Sequence, residues 1–384
     1  MLGYKKKNKS SFIIGMALFS MFFGSGNLTF PLFIGQLAKS EWSMATIGFL
    51  ISAVLLPFAG VIALVIYHGH ADRFFSRNEK FPIGKWLIPI LLTVWIPLGS
   101  APRCISVAHA GLSSIAPSIP LWLFSAIYSS FIFLLVFKRN RILDILGYVL
   151  TPLLILSLAI IFITGIFFAP DKMASFTYKQ DMFSFGLFQG YNTMDLIAAC
   201  FFSGSIIKLL KESDKKSHIS ANIKLLLKST FVGIGLLAIT YIGLIYLSAY
   251  HSSLITHLPK EQILPFLAYK LLGSQLGIIA SLIILLACVT TSCVLIIVYT
   301  DYLKTLPIKW LQNDFHGNLI VVGVTFALSL IGFSGITKLS GPLLQTLYPI
   351  VIVFVILAIS QYAYAYLKKY FKQRALAKKQ YAEE

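Results

Sequence analysis

Charged side chains are what this sequence has least of: Asp, Glu, Lys and Arg make up 12% of its 384 residues, about half the share found in soluble domains. That scarcity excludes a water-soluble fold. The four cysteines, Cys104, Cys200, Cys288 and Cys293, all lie in apolar segments. Their spacing matches no metal site, so they read as small packing residues. No nucleophile, metal-ligand cluster, nucleotide loop, low-complexity stretch or soluble domain stands out, which argues against an enzyme and against any cofactor.

Apolar residues fill the chain instead, at 57% of the total with a mean hydropathy of +0.82. Stretches such as 47–67, 143–168 and 278–299 carry almost no charge, and each is long enough to cross about 30 Å of hydrocarbon. An all-α membrane protein follows, with spans centred near residues 24, 55, 99, 128, 156, 196, 236, 288, 325 and 353. The first span is longer than a signal-peptide core and lacks a small-residue cleavage pattern, so it is expected to be retained as a helix.

The formal charge of +18 is unevenly spread along the chain. Of 32 Lys and Arg, 25 fall in alternate connections and the two tails, among them Lys5 to Lys9, Arg73 to Lys85, Lys138 to Arg141, Lys208 to Lys228 and Lys368 to Lys379. The opposite side receives six: Lys39, Lys172, Lys179, Lys260, Lys270 and Lys338. Basic connections stay cytoplasmic, which predicts a multi-pass protein of the cytoplasmic (inner) membrane with both termini inside. The positive surface is then explained by topology and anionic lipid, with no need of nucleic acid.

An even count of ten divides into five and five, and an odd-numbered half repeats upside down, the inverted plan of many transporters. We expect one transmembrane domain over 1–384, with repeats at 11–169 and 184–367 and cytoplasmic tails at 1–10 and 368–384. In such a plan the first span of each half is interrupted at mid-membrane. The first span carries Gly24, Gly26 and Asn27 at its centre with Pro31 beyond, residues that weaken a helix. The sixth opens Gln189-Gly-Tyr-Asn-Thr-Met-Asp195, a polar run in an otherwise apolar span. Unwound backbone is tolerated in lipid only where it lines a protein cavity, so the two breaks should face each other. Helix packing is the competing explanation for the glycines, although Gly24-x-Gly26 lacks the three-residue spacing of the dimer motif. A further helix over Glu261 to Leu272 is expected at the outer mouth, as a lid or as an interfacial element.

Helix N-termini at a break offer free amides and a positive dipole end to a carboxylate. That points to Gly24, Ser25, Gly26 and Asn27 for a substrate carboxylate. A substrate ammonium needs carbonyls, a hydroxyl or a negative group, as at Phe22 and along Gly190, Tyr191, Asn192 and Thr193. In the eighth span Ala287, Thr290 and Thr291 share one helix face and present a carbonyl and two hydroxyl oxygens. Hard cations take oxygen ligands, so a sodium ion between the first and eighth spans is one reading. The other is that the threonines bond their own preceding carbonyl.

The segments Phe22-Phe-Gly-Ser-Gly-Asn-Leu-Thr-Phe-Pro31, Gly190-Tyr-Asn-Thr-Met-Asp195 and Ala287-Cys-Val-Thr-Thr291 closely resemble those of the branched-chain amino acid carrier family, sodium-coupled carriers for leucine, isoleucine and valine. Pro102-Arg103 and Tyr348-Pro349 are weaker matches, so the likeness extends over nearly the whole chain. The resemblance implies a leucine-transporter-type fold of the amino acid/polyamine/organocation superfamily, with substrate at the broken first and sixth spans. It also implies a sodium ion held by carbonyls at Ser20 and Phe23 together with Ala287, Thr290 and Thr291. Two departures stand out. Where the family places a glutamate shortly after the Pro-Arg pair, this chain has Val107-Ala-His-Ala110. Family members usually show twelve spans, and the expected count here is ten.

Arg103 and Asp195 are the two ionisable groups expected near the midplane, where unpaired charge is costly. They either neutralise one another, cap the break separately, or touch substrate. His109 reads as a packing residue. The whole is an alternating-access carrier for a neutral aliphatic amino acid, coupled to sodium or, in the alternative, to protons or serving another neutral amino acid. A channel is disfavoured because no continuous polar stripe is seen. A membrane-embedded enzyme is disfavoured because Asp195 lacks a catalytic partner.

Overall fold

The computed structural model describes residues 11–76, 83–137, 139–170, 173–175, 181–202 and 219–383, and every regular element among them is helical. The basic stretches Lys5 to Lys9, Arg77 to Lys80 and Lys208 to Lys216, with Lys138, Lys172 and Lys179, lie outside the described residues. Helix α1 (Ser11–Phe22) stops and α2 (Ser25–Ala38) starts after an interval of two residues, Phe23 and Gly24. Between them Gly24 adopts an extended backbone, φ −114° and ψ −168°. The interruption is narrower than the sequence suggests: Gly26 and Asn27 already form the first turn of α2, and Pro31 is accommodated inside it. The Gly24 amide donates to the Asn27 side-chain oxygen, and an acceptor for an amide at the helix start favours early winding.

Two further helical rods carry a π-helical turn each. One joins α3 (Trp42–Leu50) to α4 (Leu56–Ile66) through Ile51–Leu55. After a short α5 (Ala71–Phe75), the second joins α6 (Gly84–Trp95) to α7 (Ala101–Ser113) through Ile96–Ser100. Both turns adjoin prolines, Pro57 in one case and Pro97 and Pro102 in the other, which have no N–H to give the ladder. A widened turn is one way a helix passes such positions. Helices α8 (Leu121–Phe137) and α9 (Arg139–Phe167) follow.

The sixth rod is split as the first is. Helix α10 (Met182–Tyr191), whose start is capped by the Asp181 carboxylate accepting from the amides of Phe183 and Ser184, ends before Asn192. Helix α11 begins at residue 195 and is described to 202. Met194 between them has φ 64°. Beyond lie α12 (Ile219–Tyr250), the short α13 (Ser252–Ile255), α14 (Ile263–Leu303), α15 (Asp314–Ser329) and α16 (Gly332–Glu383). Gly273, at φ 76°, kinks α14. The part before it is the helix expected near Glu261 to Leu272, and it buries Ile263, Leu264, Leu267 and Ala268 against the bundle.

Among the described residues, Ser25–Ile66, Gly84–Ser113, Lys228–Tyr250, Lys260–Leu303 and Gly332–Lys368 are long and apolar enough to cross a membrane, and Leu121–Phe137, Pro152–Phe167 and Asp314–Ser329 are shorter apolar helices. Their outer faces carry exposed Leu55, Ile127, Leu134, Phe167, Ile239 and Ile356. In water such a belt is an aggregation hazard; in hydrocarbon it is simply solvated. Lipid supplies little hydrophobic drive between helices, so small residues that let backbones approach matter more. Gly186 and Gly190, four apart on α10, meet α3 and the π turn after it. A Cβ added at Gly186 would overlap the Ala45 carbonyl, and one at Gly190 would overlap the Ser52 hydroxyl.

Candidate functional site

The two breaks lie against each other. A Cβ built on Gly26 would stand 3.3 Å from the Thr193 Cα and 3.5 Å from the Asn192 carbonyl oxygen, a contact tight enough that a side chain here would push the two breaks slightly apart. In the first turn of α2 the Asn27 amide donates to the Gly24 carbonyl at 3.1 Å, while the amides of Ser25 and Gly26 stand at the start of the helix, where the ladder supplies no acceptor. At the other break the chain closes in tight turns: the amides of Asn192, Thr193 and Met194 donate to the carbonyls of Gln189, Gly190 and Tyr191 at 3.1–3.2 Å. The Thr193 hydroxyl also donates to the Gly190 carbonyl, at 2.8 Å.

Side chains stitch the junction. Asn27 donates through Nδ2 to Asp195 Oδ2 at 2.8 Å, and the Tyr241 hydroxyl of α12 donates to the same oxygen at 3.2 Å. Asn27 also contacts the Tyr241 hydroxyl, and its Oδ1 accepts from the Gly24 amide at 3.4 Å. Ser25, Asn27, Thr193 and Asp195 are all buried. Phe22 and Phe23 close the end of α1, with the Phe23 amide bonded to the Phe19 carbonyl at 2.8 Å. Tyr191 packs on Tyr348 of α16, the rings tilted by 31° with centroids 4.5 Å apart.

Arg103 and Asp195 do not pair, contrary to one sequence expectation. Nearer neutral groups satisfy each of them. Arg103, 1% exposed, donates from one terminal nitrogen to the Asn192 carbonyl at 2.7 Å and from the other to the Ser340 hydroxyl at 2.6 Å. Its guanidinium also lies 5.4 Å from the ring centre of Phe30 and 5.9 Å from that of Phe333, close enough for cation–π attraction. The cation therefore caps the carbonyl end of α10, where the helix dipole favours positive charge. The remaining nitrogen, Nε, is buried without a partner.

On α14, Thr290 and Thr291 both donate to the Ala287 carbonyl, at 2.8 and 2.9 Å. This is the local bonding that was the competing explanation for these hydroxyls, although each oxygen keeps lone-pair capacity. The group lies beside the first break, since a Cβ on Gly24 would be 3.6 Å from the Thr291 methyl. Ser20 is in the last turns of α1. Among the described residues no group of three or more His, Cys, Asp or Glu could hold a metal. All four cysteines are buried and free, and Cys104 donates to the Ser25 hydroxyl at 3.4 Å. His109 bonds the Ile119 carbonyl at 2.9 Å, in keeping with a packing role.

One side of the junction is covered. Gln36 of α2 donates to the carbonyls of Ile255 and Leu258 at 2.5 and 3.1 Å. Lys260 sits 3.8 Å from the ring centre of Phe33 and 5.7 Å from that of Phe30. The loop after α13 is thereby fastened over α2. Sequence reasoning missed Tyr241, Ser340, Phe30 and Phe333. Each is a lone polar or aromatic residue in an apolar span, and nothing local distinguishes it from packing.

A family model described as branched-chain amino acid transport protein matches residues 7–379. The branched-chain amino acid permease BrnQ of Bacillus subtilis is 30% identical over 369 residues, 92% of this chain and 82% of that protein. The permease BraB of the same organism is 29% identical over 382 residues, 95% and 82% respectively. Among solved structures, the inward-facing conformation of Mhp1 superposes with a TM-score of 0.64 at 12% identity, covering 90% of this chain and 76% of that one.

Proposed function

The chain belongs to the branched-chain amino acid transport protein family, a transporter and not an enzyme, and from that premise we propose that it imports leucine, isoleucine and valine with sodium by alternating access. The observation that carries this reading is the contact of the two helix breaks at Gly26 and Thr193. The α2 start, Gly24 to Asn27, receives the substrate carboxylate at its positive dipole end, with the amides of Ser25 and Gly26 as the donors. Backbone carbonyls near Phe22 and in Gly190 to Thr193 face the ammonium. Sodium takes carbonyl oxygens at Ser20 and Phe23 together with Ala287, Thr290 and Thr291, the oxygen set such an ion requires.

Coupling then arises because ion and substrate stabilise the same arrangement of the first rod, a differential affinity between states. Repeats at 11–169 and 184–367 rock against one another around the shared break. The basic connections set both termini on the cytoplasmic side of the inner membrane. Labelled leucine uptake into proteoliposomes tests the scheme. A sodium gradient should drive uptake, and Thr290→Ala or Thr291→Ala should raise the sodium concentration for half-maximal rate roughly tenfold or more. Uptake driven only by a proton gradient, with both variants unaffected, would remove the sodium site. Methionine or aromatic uptake without leucine uptake would replace the substrate.

A further inference from the structure

We propose that the Asp195 carboxylate is the counter-charge for the substrate's α-ammonium, and that it makes this carrier select zwitterions over acids that lack the amine. The proposal rests on the reading that the two breaks hold an amino acid. Asp195 is 2% exposed, and the two side chains that donate to it are neutral: the Asn27 amide at 2.8 Å and the Tyr241 hydroxyl at 3.2 Å. Arg103, the nearest cation in the sequence pattern, is committed to Asn192 and Ser340. A carboxylate held in a membrane interior with donors but no positive partner awaits one.

Two features favour an ammonium over a metal cation. Asn27 and Tyr241 converge on one carboxylate oxygen and on each other, and Asn27 presents its NH2 there. A sodium ion needs several oxygens arranged around it, whereas an ammonium needs one free lone-pair direction on Asp195. A carboxylate has about four such directions, and Asn27 and Tyr241 take two of them, both on the same oxygen. Position also matters. In an α-amino acid one carbon joins ammonium to carboxylate, so their receptors must be neighbours. Asn27, which bonds Asp195, stands in the same first turn of α2 that offers its amides to the carboxylate.

The main rival is a proton residing on Asp195, which would leave the site neutral. Binding of leucine and of 4-methylpentanoate, its analogue without the amine, is measured on the purified full chain, wild type and Asp195→Asn, between pH 6 and 8. The expected result is a loss of leucine affinity of about 30-fold or more in the variant, with 4-methylpentanoate bound no more weakly than by wild type. Tyr241→Phe, which keeps the charge, should retain most of the preference for leucine. If Asp195→Asn binds leucine as tightly as wild type and loses only a pH dependence, the proton reading replaces this one. A variant that melts like wild type and binds neither ligand also overturns it. Failure of the wild type to bind leucine sinks the transport reading itself.

Discussion

The side-chain amide of Asn27 donates to the carboxylate of Asp195 at 2.8 Å across 168 residues of sequence. This bond ties the start of the second half of one broken rod to the start of the second half of the other. Truncation at Asn27 removes a donor from Asp195 and the acceptor of the Gly24 amide together. Asn27→Ala should therefore lower leucine uptake in proteoliposomes by at least about tenfold, the scale of one buried bond to a charged group, while purified protein remains monodisperse. Uptake within twofold of wild type would show the bond to be incidental.

Arg103 spans three elements, reaching from α7 to the end of α10 and to Ser340 of α16. Lysine keeps the charge but presents a single point with no planar fork. Arg103→Lys should lose one of the two bonds and destabilise the protein by about 2 kcal/mol, and Arg103→Met should cost more. Thermal melting in detergent reads both. Equal melting of the lysine variant and wild type would mean that the fork geometry is not used.

Gly190 faces the Ser52 side chain, whose Cβ would lie 2.9 Å from an added methyl. Overpacking of this kind costs about 1–3 kcal/mol. Gly190→Ala should lower the melting temperature, and Ser52→Gly in the same chain should restore part of the loss. A double variant no better than the single one would place the strain elsewhere, the Ala53 amide at 3.1 Å being the next neighbour.

Asp181 caps α10 from the exposed side. The Ser184 hydroxyl and amide, followed by the Phe183 amide, hold its carboxyl below the usual value. A group whose folded pKa is depressed adds stability above its unfolded pKa, roughly 3.9 for aspartate, and loses it as pH falls through the lower folded value. Amide exchange of residues 182–185, corrected for intrinsic rates, should therefore speed up below about pH 4, and Asp181→Asn should abolish that step. Identical pH profiles in the two proteins would detach the cap from this titration.

The places where the chain unwinds were legible because their causes are local. Gly24 and Gly26 remove β-carbons at mid-span, and Gln189 to Asp195 interrupts an apolar run with polar groups. The partners of the charges were not legible. Pairing of Arg103 with Asp195 was one of three readings the sequence left open, beside separate capping and substrate contact, and a backbone carbonyl, a serine, an amide and a tyrosine lay nearer. Which helix faces bring Tyr241 to Asp195 depends on packing between rods, and no spacing within α12 encodes it. The extent of the first break was misjudged for a related reason. Asn27 was counted among the residues that loosen the helix, whereas it closes back on Gly24 and winds α2 early.

The seam formed by Gly186 and Gly190 has a mechanical corollary. With Gly186 against the Ala45 carbonyl and Gly190 against the Ser52 side chain, sliding of α10 along α3 would bring atoms into collision, so the proposed rocking would carry the two as a single plank. Its bending would then fall to the short swivel of residues 192–194, where the rod is already unwound.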